Sequence, residues 1–329
     1  MKICIMSDTH LSAQKYTKND KKLDINRYLV RQFESLDWVL EYLKEKDIDT
    51  IIHAGDVFDS PRAGVYCIKR AKEAFDGFDV YAIKGNHDDT SFLHDNKISA
   101  LDLLNINSFN TPGKVCIDGV NFCFTPWGYE IDETMLDESK KNVLVAHGFP
   151  RSYFGDGEIS TKDTNDGGIL SNKTKLFDLV ITGHAHSIDE FRSDKTRYLN
   201  PGSLSASSND SGESPSIWIL DTSDLSYTRI KIPVAIQLIR SKPEDVNAYL
   251  DSIKEENIYR ITVDSKDSID RKSLLKAKRA ALDVQIKLIK TCDRGQTHIK
   301  KVDDFWEYVS KNSSYEEDFK KAIQSLDSE

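Results

Sequence analysis

Short apolar runs recur along the first two thirds of the chain, and each is followed by a polar or glycine-containing turn. Five of them have the length and continuous apolar character of buried strands; they cover residues 2–6, 50–53, 79–83, 142–145 and 179–182. Between the first two runs, apolar residues recur at helical spacing from Leu29 to Leu43. Further on, Ser60-Pro61 is typical of a helix start and Gly77 of its end. This alternation predicts a mainly parallel sheet.

Each predicted strand leads directly into a short segment that offers a metal ligand or an acid. The segments are Asp8-Thr9-His10, Gly55-Asp56-Val57-Phe58-Asp59, Gly85-Asn86-His87-Asp88, Ala146-His147-Gly148 and Gly183-His184-Ala185-His186. Five of the eight histidines lie in them. Because ligand sites of parallel sheets lie beyond the carboxyl ends of the strands, we expect the segments to converge. Their carboxylates, imidazoles and amide oxygen suit Mn²⁺, Fe²⁺ or Zn²⁺, and a set of this size predicts two ions.

The residue types suggest roles within this set. Two ions about 3.5 to 4 Å apart need a shared carboxylate, and Asp56 is the candidate because Gly55 allows its turn to approach the ions. His87 adjoins a ligand without being needed as one, which makes it the candidate general acid. Asp88 either orients His87 or caps a turn. The remaining candidate ligands are Asp8, His10, Asn86, His147, His184 and His186.

The charge distribution along the chain limits the kinds of partner that it is expected to bind. The net charge is −9, and all of the acidic excess lies in residues 1–232, because the remainder holds 18 basic and 18 acidic residues. A general nucleic-acid coat protein would be basic. One local run is basic and lies on a predicted helix, where it forms either a solvated face or a phosphate contact: Arg271, Lys272, Lys276, Lys278 and Arg279.

The cysteines and the absence of long apolar stretches predict a cytoplasmic protein with no membrane association. The five cysteines are odd in number and form no CxxC pair, and Cys4, Cys116 and Cys123 lie in apolar runs typical of buried thiols. No stretch approaches the roughly 18 to 20 apolar residues of a membrane span, and the N-terminus lacks a signal-peptide layout.

In this order, the five segments resemble the signature of calcineurin-like metallophosphoesterases. Within that superfamily the chain is most similar to the SbcD nucleases, the bacterial and phage counterparts of the Mre-type double-strand-break repair nucleases. The stretch Ala54-Gly55-Asp56-Val57-Phe58-Asp59-Ser60 resembles their second motif, and Asn200-Pro201-Gly202-Ser203 resembles the loop after their last motif. The chain departs from the pattern in two motifs. The first reads Asp-Thr-His-Leu-Ser, where many SbcD-type chains have Trp at the second position and Gly at the last, and Asp59 stands where archaeal relatives carry a histidine that faces the phosphate. Neither departure removes a metal ligand.

The resemblance implies an α/β (α+β) core of mixed sheets sandwiched by helices, with a small C-terminal α/β capping domain. It also implies two divalent ions, with Mn²⁺ expected and Fe²⁺ able to use the same ligands. One ion would take Asp8, His10, Asp56 and His186, and the other Asp56, Asn86, His147 and His184. His87 would protonate the departing oxygen after in-line attack on phosphorus.

The domain organisation follows from Pro233, a plausible boundary, and from the same resemblance. We expect a nuclease core over 1–232, a DNA-capping domain over 233–290 with strands at 234–239, 257–263 and 283–289, and a linker with a helical segment over 291–329. Two apolar faces of that segment either pack on this chain or bind the coiled coil of an SbcC/Rad-type ATPase. They consist of Phe305, Trp306 and Val309, and of Phe319, Ile323 and Leu326.

Three functions remain from the sequence. The first is a Mn²⁺-dependent DNA nuclease, a 3′–5′ exonuclease and single-strand endonuclease that works as a homodimer in an SbcCD-type recombination and repair complex. The alternative is a metallophosphatase or cyclic-nucleotide phosphodiesterase acting on small phosphoesters, which would need no residues beyond 232. A non-catalytic scaffold is the third, although such chains usually lose ligands, and every expected ligand is present here.

Overall fold

The computed structural model describes residues 1–16, 18–20, 22–91, 93, 98–150, 169–170, 172–206, 214–291 and 297–299. The chain divides into two compact units, Met1–Leu238 and Ile239–Glu329. Among the residues described, no helix combines the length and the apolar character that crossing a membrane requires. The predicted apolar faces between Phe305 and Leu326 lie outside the described residues.

Among the residues that the structure describes, the first unit contains fourteen strands and two α-helices. The strands are β1 (Lys2–Met6), β2 (Thr50–His53), β3 (Asp79–Ile83), β4 (Asn107–Phe109), β5 (Gly113–Ile117), β6 (Val120–Thr125), β7 (Asn142–His147), β8 (Phe149–Pro150), β9 (Ile169–Leu170), β10 (Leu179–Gly183), β11 (Asp189–Ser193), β12 (Thr196–Asn200), β13 (Ser216–Asp221) and β14 (Tyr227–Lys231). The helices are α1 (Arg27–Glu45) and α2 (Val65–Phe75), with 3-10 turns at Leu101–Leu103, Glu133–Met135 and Asn172–Leu176. All five predicted strands are present; β7 and β10 extend slightly further than predicted.

These strands form two six-stranded mixed sheets, in the orders β14-β13-β1-β2-β3-β4 and β11-β12-β10-β7-β6-β5. In the first sheet the four strands from β1 to β4 are parallel, and the antiparallel strands β13 and β14 lie at one edge. In the second sheet four parallel strands lie at the centre, with the antiparallel strands β11 and β5 at the two edges. The five predicted strands pair in parallel, as expected, but they belong to two sheets rather than to one. Local hydrophobic pattern identifies strands but does not say which strands pair, so the division into two sheets was not visible in it.

The two sheets pack face to face and enclose an apolar core. Ile5 and Ile52 of the first sheet contact a cluster that includes Phe124, Val145 and Ile181 of the second. The other face of the first sheet is covered by α1 and α2, and Met135 and Phe177, in or beside 3-10 turns, pack on the outer face of the second. This is the predicted sandwich of mixed sheets.

The second predicted helix starts later than the sequence indicated. Helix α2 begins at Val65 with Gly64 as its N-cap, rather than at Ser60-Pro61. Those two residues hold a loop instead: Ser60 Oγ accepts the backbone N–H of Arg62 at 3.2 Å, and the Pro61 carbonyl accepts that of Ala100 at 2.8 Å. A serine that caps a turn and one that caps a helix have the same sequence signal. The expected end is correct, since Gly77 (φ +82°) follows the helix.

In its described part, the second unit contains a four-stranded sheet and two helices. Its strands, β15 (Leu238–Ser241), β16 (Ile258–Asp264), β17 (Asp283–Thr291) and β18 (Thr297–Ile299), lie in sequence order. Helices α3 (Val246–Ser252) and α4 (Arg271–Ala280) contribute Leu250 and Ala277 to a core with Ile261 and Ile286.

The strand expected at residues 234–239 lies later, because Ala235 and Ile236 are buried with the first unit, where the Ile236 carbonyl accepts the N–H of Ala206 at 2.9 Å.

Most of the cysteines match the sequence analysis, but Cys116 does not. Cys4, Cys67 and Cys123 are free and buried, whereas Cys116 is exposed. It lies on β5, an edge strand whose residues alternate between exposed and partly buried positions. The apolar neighbours of Cys116 in sequence therefore did not indicate burial.

Candidate metal centre

All seven predicted ligands lie within one small region, where the carboxyl ends of strands from both sheets meet. Three of the segments follow β1, β2 and β3 of the first sheet, and the other two begin within the last residues of β7 and β10 of the second. Contacts cross between the sheets: His147 Nε2 lies 3.0 Å from Asn86 Oδ1, and the backbone N–H of His184 donates to Asp8 at 3.1 Å.

The ligand atoms form two groups that share Asp56. In the first group, His10 Nε2 lies 3.1 Å from His186 Nε2, 4.0 Å from Asp8 Oδ1 and 3.7 Å from Asp56 Oδ2. One ligand atom each from Asp8, His10 and His186 lies within 4.8 Å of the others. These four side chains are buried or nearly so.

In the second group, His147 Nε2 lies 3.4 Å from Asp56 Oδ2. Asn86 Oδ1 lies 3.0 Å from that nitrogen and 2.9 Å from His184 Nδ1. One ligand atom each from Asp56, His147 and His184 lies within 4.8 Å of the other two. Asp56 thus stands between the two groups, as a bridging ligand must.

The donor chemistry fits divalent cations. His147 Nδ1–H donates to the Ala54 carbonyl at 2.8 Å, which directs Nε2 toward Asp56 and Asn86. Oxygen and nitrogen lone pairs this close repel one another unless a positive charge lies between them. Burial alone would lower the pKa of His147, but the Asp56 carboxylate raises it to about 9, so a proton can supply that charge when a metal ion does not.

Burial and neighbouring charges also shift the pKa values of the other candidate ligands. Burial raises the pKa of Asp8 to about 6. Burial would also raise that of Asp56, but the adjacent His147 outweighs it and holds the pKa below the usual range of an aspartate. Burial lowers the pKa of His184 to about 4 and of His186 to about 3. Both imidazoles are therefore neutral at pH 7, the form that binds metal ions.

Four of the seven ligands have a left-handed backbone. Asp8 (φ +50°), His10 (φ +45°), Asp56 (φ +56°) and His184 (φ +86°) lie in the region that L-residues rarely adopt. Such conformations cost of order 1–3 kcal/mol each and concentrate at functional sites. Two bonds hold the first two segments in place: Asp8 N–H donates to the Gly55 carbonyl at 3.0 Å, and His10 N–H to that of Asp56 at 3.1 Å.

Two glycines are required because other atoms approach their backbone. A Cβ on Gly85 would lie 2.1 Å from Asp56 Oδ1, and one on Gly183 would lie 2.1 Å from the Ala54 carbonyl oxygen and 2.8 Å from His147 Nδ1. Every other residue type would push a ligand or its hydrogen-bond partner out of position.

His87 borders the first group and is more exposed than the ligands. Its side chain is 40% exposed, and its ring meets that of His10 edge-on at 4.7 Å. Nδ1–H donates to the Asp59 carbonyl at 2.9 Å, which leaves Nε2 to hold or release a proton. One atom each from His10, Asp56 and His87 also lies within 4.8 Å, so proximity alone does not separate an acid from a ligand here.

Asp88 caps a turn, one of the two roles left open by the sequence. It is fully buried and accepts the backbone N–H groups of Val57 and Phe58 at 3.1 Å and of Gly85 at 3.2 Å. These bonds join the second and third motif segments. Burial, with the nearby Asp56 carboxylate, raises the pKa of Asp88 to about 7.

Three residues at the site were not assigned a role from sequence. Asp59 Oδ1 lies 3.2 Å from His10 Nδ1 and 3.9 Å from His87 Nδ1. The rings of Trp127 and Phe149 lie 5.1 and 5.0 Å from that of His184. The sequence did contain a signal for Trp127. The mostly apolar run 120–124 leads into Thr-Pro-Trp-Gly, which is a turn at the end of a strand, as the five motif segments are.

Neither His53 nor the basic residues of α4 belong to the ligand groups found among the described residues. His53 is buried, and its Nε2–H donates to Thr9 Oγ1 at 3.1 Å. In the second unit, the basic residues of α4 are all exposed, and Lys276 forms a 3.1 Å ion pair with Asp251. They are Arg271, Lys272, Lys276, Lys278 and Arg279.

Comparison with known proteins agrees with this geometry. The sequence profile of the calcineurin-like phosphoesterase superfamily domain matches residues 1–225. The chain belongs to this superfamily. The family predicted from the motifs and the predicted fold class are thereby confirmed, and a family that uses divalent metals fits the two ligand groups.

A curated relative is Exonuclease subunit 1 of Enterobacteria phage T4, which is 26% identical over 239 residues. The match covers 68% of this chain and 65% of that protein. Among solved structures, an archaeal phosphodiesterase is 22% identical with a TM-score of 0.37, over 70% of this chain and 99% of that one. The phosphoesterase YfcE from E. coli is 18% identical with a TM-score of 0.37, over 70% and 100% of the two chains.

Proposed function

We propose that this chain is a two-metal DNA nuclease, a 3′–5′ exonuclease and single-strand endonuclease of the SbcD type. The observation that carries the proposal is the two ligand groups sharing Asp56, with four ligands in left-handed backbone conformations. The relative named as an exonuclease subunit favours DNA over small phosphoesters as the substrate.

The proposed ligands follow the two groups. One ion takes Asp8, His10, Asp56 and His186, and the other takes Asp56, Asn86, His147 and His184. When bound, divalent ions stabilise the negative charge that develops on the phosphoryl oxygens. The mixture of imidazole, carboxylate and amide oxygen suits Mn²⁺, and Fe²⁺ would use the same atoms.

The proposed general acid is His87. Its Nδ1–H bond to the Asp59 carbonyl fixes the ring, so that Nε2 carries the proton delivered to the departing oxygen. Its partial exposure suits a group that must meet a substrate. Positioned acids of this kind contribute typically about 10²- to 10⁴-fold to a rate.

The other parts of the proposal concern organisation. Residues 1–232 would be the nuclease core, 233–290 a cap that selects DNA through α4, and 291–329 the segment that binds an SbcC/Rad-type ATPase in a complex containing two copies of this chain. The exonuclease relative is a subunit by name, which supports a partner. A cytoplasmic location accords with DNA as the substrate.

The deciding experiment is nucleotide release from 3′-labelled duplex DNA in Mn²⁺, with His87→Ala as the comparison. We expect release by the wild type, and a loss of about 10²-fold or more in the variant while calorimetry still detects two bound ions. Full activity in His87→Ala would show that His87 is not the general acid.

A wild-type protein that hydrolyses small phosphodiesters but never DNA, with or without an ATPase partner, would favour the second candidate, a general metallophosphoesterase. One observation speaks for that candidate: all seven ligands lie in the first unit, so the centre is complete without the second.

A further inference from the structure

An aromatic wall borders the second ligand group. The Trp127 ring lies 5.1 Å from that of His184 at an interplanar angle of 35°, and 5.9 Å from that of His147. Phe149 meets His184 from another direction at 5.0 Å and 77°. Trp127 and Phe149 are both partly exposed, so the wall is open to solvent beside the metal centre.

Trp127 is held firmly although it lies on a loop. Its backbone N–H donates to the Lys84 carbonyl at 2.9 Å, one residue before the Gly85-Asn86 turn. Gly128 follows with φ +80°, which turns the chain away. The position of the indole is thus tied to the segment that carries Asn86. Trp127 belongs to none of the four apolar clusters found among the described residues.

A large, partly exposed indole outside every core cluster is unusual if packing is its only purpose. Indole is expensive to leave in water, and a smaller apolar side chain would be enough to support the His184 ring. Aromatic platforms beside a phosphate site are, however, what single-stranded nucleic acid requires, since every base has a flat face that stacks without sequence preference.

We propose that Trp127 is the platform on which the nucleobase next to the scissile phosphodiester stacks. This inference rests on the proposed function and adds to it a preference: the centre selects phosphodiesters that carry a nucleobase over those that do not. Phe149 then supports His184 edge-on, while Trp127 meets the substrate.

The test compares two diesters with the same leaving group, thymidine 5′-(p-nitrophenyl phosphate) and methyl p-nitrophenyl phosphate. The measured quantity is the ratio of their kcat/KM values. We expect Trp127→Ala to lower this ratio by about 5- to 100-fold, the worth of one stacked base, and Trp127→Phe to lower it less. The matched control is Trp38→Ala, which removes an indole that stacks on Tyr42 on helix α1. An equal loss on both diesters would mean that Trp127 only positions His184, and the proposal would be wrong.

A second readout does not depend on turnover. A single-stranded oligonucleotide with a terminal 5-iododeoxyuridine crosslinks under light to an aromatic side chain stacked on it. We expect the crosslinked peptide to contain Trp127, and a crosslink mapped elsewhere contradicts the proposal. The two hypotheses fail separately: a wild type that hydrolyses neither diester and no DNA refutes the nuclease, while the crosslink still decides whether Trp127 binds a base.

Discussion

Asp59 contacts two histidines to which different roles are proposed. Its carboxylate lies 3.2 Å from His10 Nδ1, and its carbonyl accepts the Nδ1–H of His87. Burial would raise the pKa of Asp59, but the adjacent His10 imidazole outweighs it and lowers the pKa, so the side chain is an anion at pH 7. A carboxylate on the far nitrogen of a metal-binding histidine fixes the ring and makes the ligating nitrogen more basic.

Removing this carboxylate should weaken metal binding without removing a ligand. We expect Asp59→Ala to lower Mn²⁺ affinity by about 10- to 100-fold, the usual effect of losing such a partner, as measured by isothermal titration calorimetry. Asp76→Ala is the control, since Asp76 is an exposed carboxylate at the C-cap of α2. If Asp59→Ala binds Mn²⁺ like the wild type, packing alone positions His10.

At the scale of elements, local pattern identified the strands but not their pairing. The runs at β1, β2 and β3 were evident because most of their residues are apolar and their polar residues lie at the strand ends. Convergence of the ligands could be expected, since parallel strands end at one edge. Two features depend instead on contacts between residues distant in sequence. One is that two sheets share this edge, and the other is that Asp88 joins two segments through three backbone N–H groups. No local pattern encodes such contacts.

The turn after β3 illustrates how closely these elements approach. The backbone of Gly85 leaves no room for a side chain beside Asp56 Oδ1. We expect Gly85→Ala to reduce the free energy of unfolding by about 1–3 kcal/mol through overpacking, and to weaken Mn²⁺ binding because Asp56 must move. Thermal unfolding with and without Mn²⁺ measures both effects.

Gly64→Ala provides the comparison, because a Cβ on Gly64 would have no other atom within 4 Å and the backbone there is extended. That change at a helix N-cap should cost no more than about 1 kcal/mol. Equal Mn²⁺ affinity in Gly85→Ala and the wild type would show that the turn tolerates a side chain and does not position Asp56.

At the scale of the whole molecule, the negative net charge of the chain disfavours binding of the proposed substrate, DNA, which is also an anion. The net charge is −9, and the excess lies in residues 1–232, the part that carries the candidate metal ligands. Two divalent ions would offset about four of these charges, so metal loading and DNA affinity should be coupled. The second unit has no acidic excess, and its helix α4 presents five exposed basic side chains along ten residues. This helix is therefore a local source of attraction for phosphate.

Neutralising that helix should reduce both the affinity for DNA and its salt dependence. We expect replacement of the five basic residues of α4 by glutamine to lower the slope of log affinity against log salt by about 0.9 for each phosphate that the helix no longer neutralises, in fluorescence anisotropy titrations with Ca²⁺ in place of Mn²⁺. The control carries five glutamines at exposed lysines of the first unit: Lys2, Lys44, Lys46, Lys69 and Lys72. Both variants change the net charge equally. Only a local interaction with phosphate makes their slopes differ, so equal slopes would show that α4 acts through net charge alone.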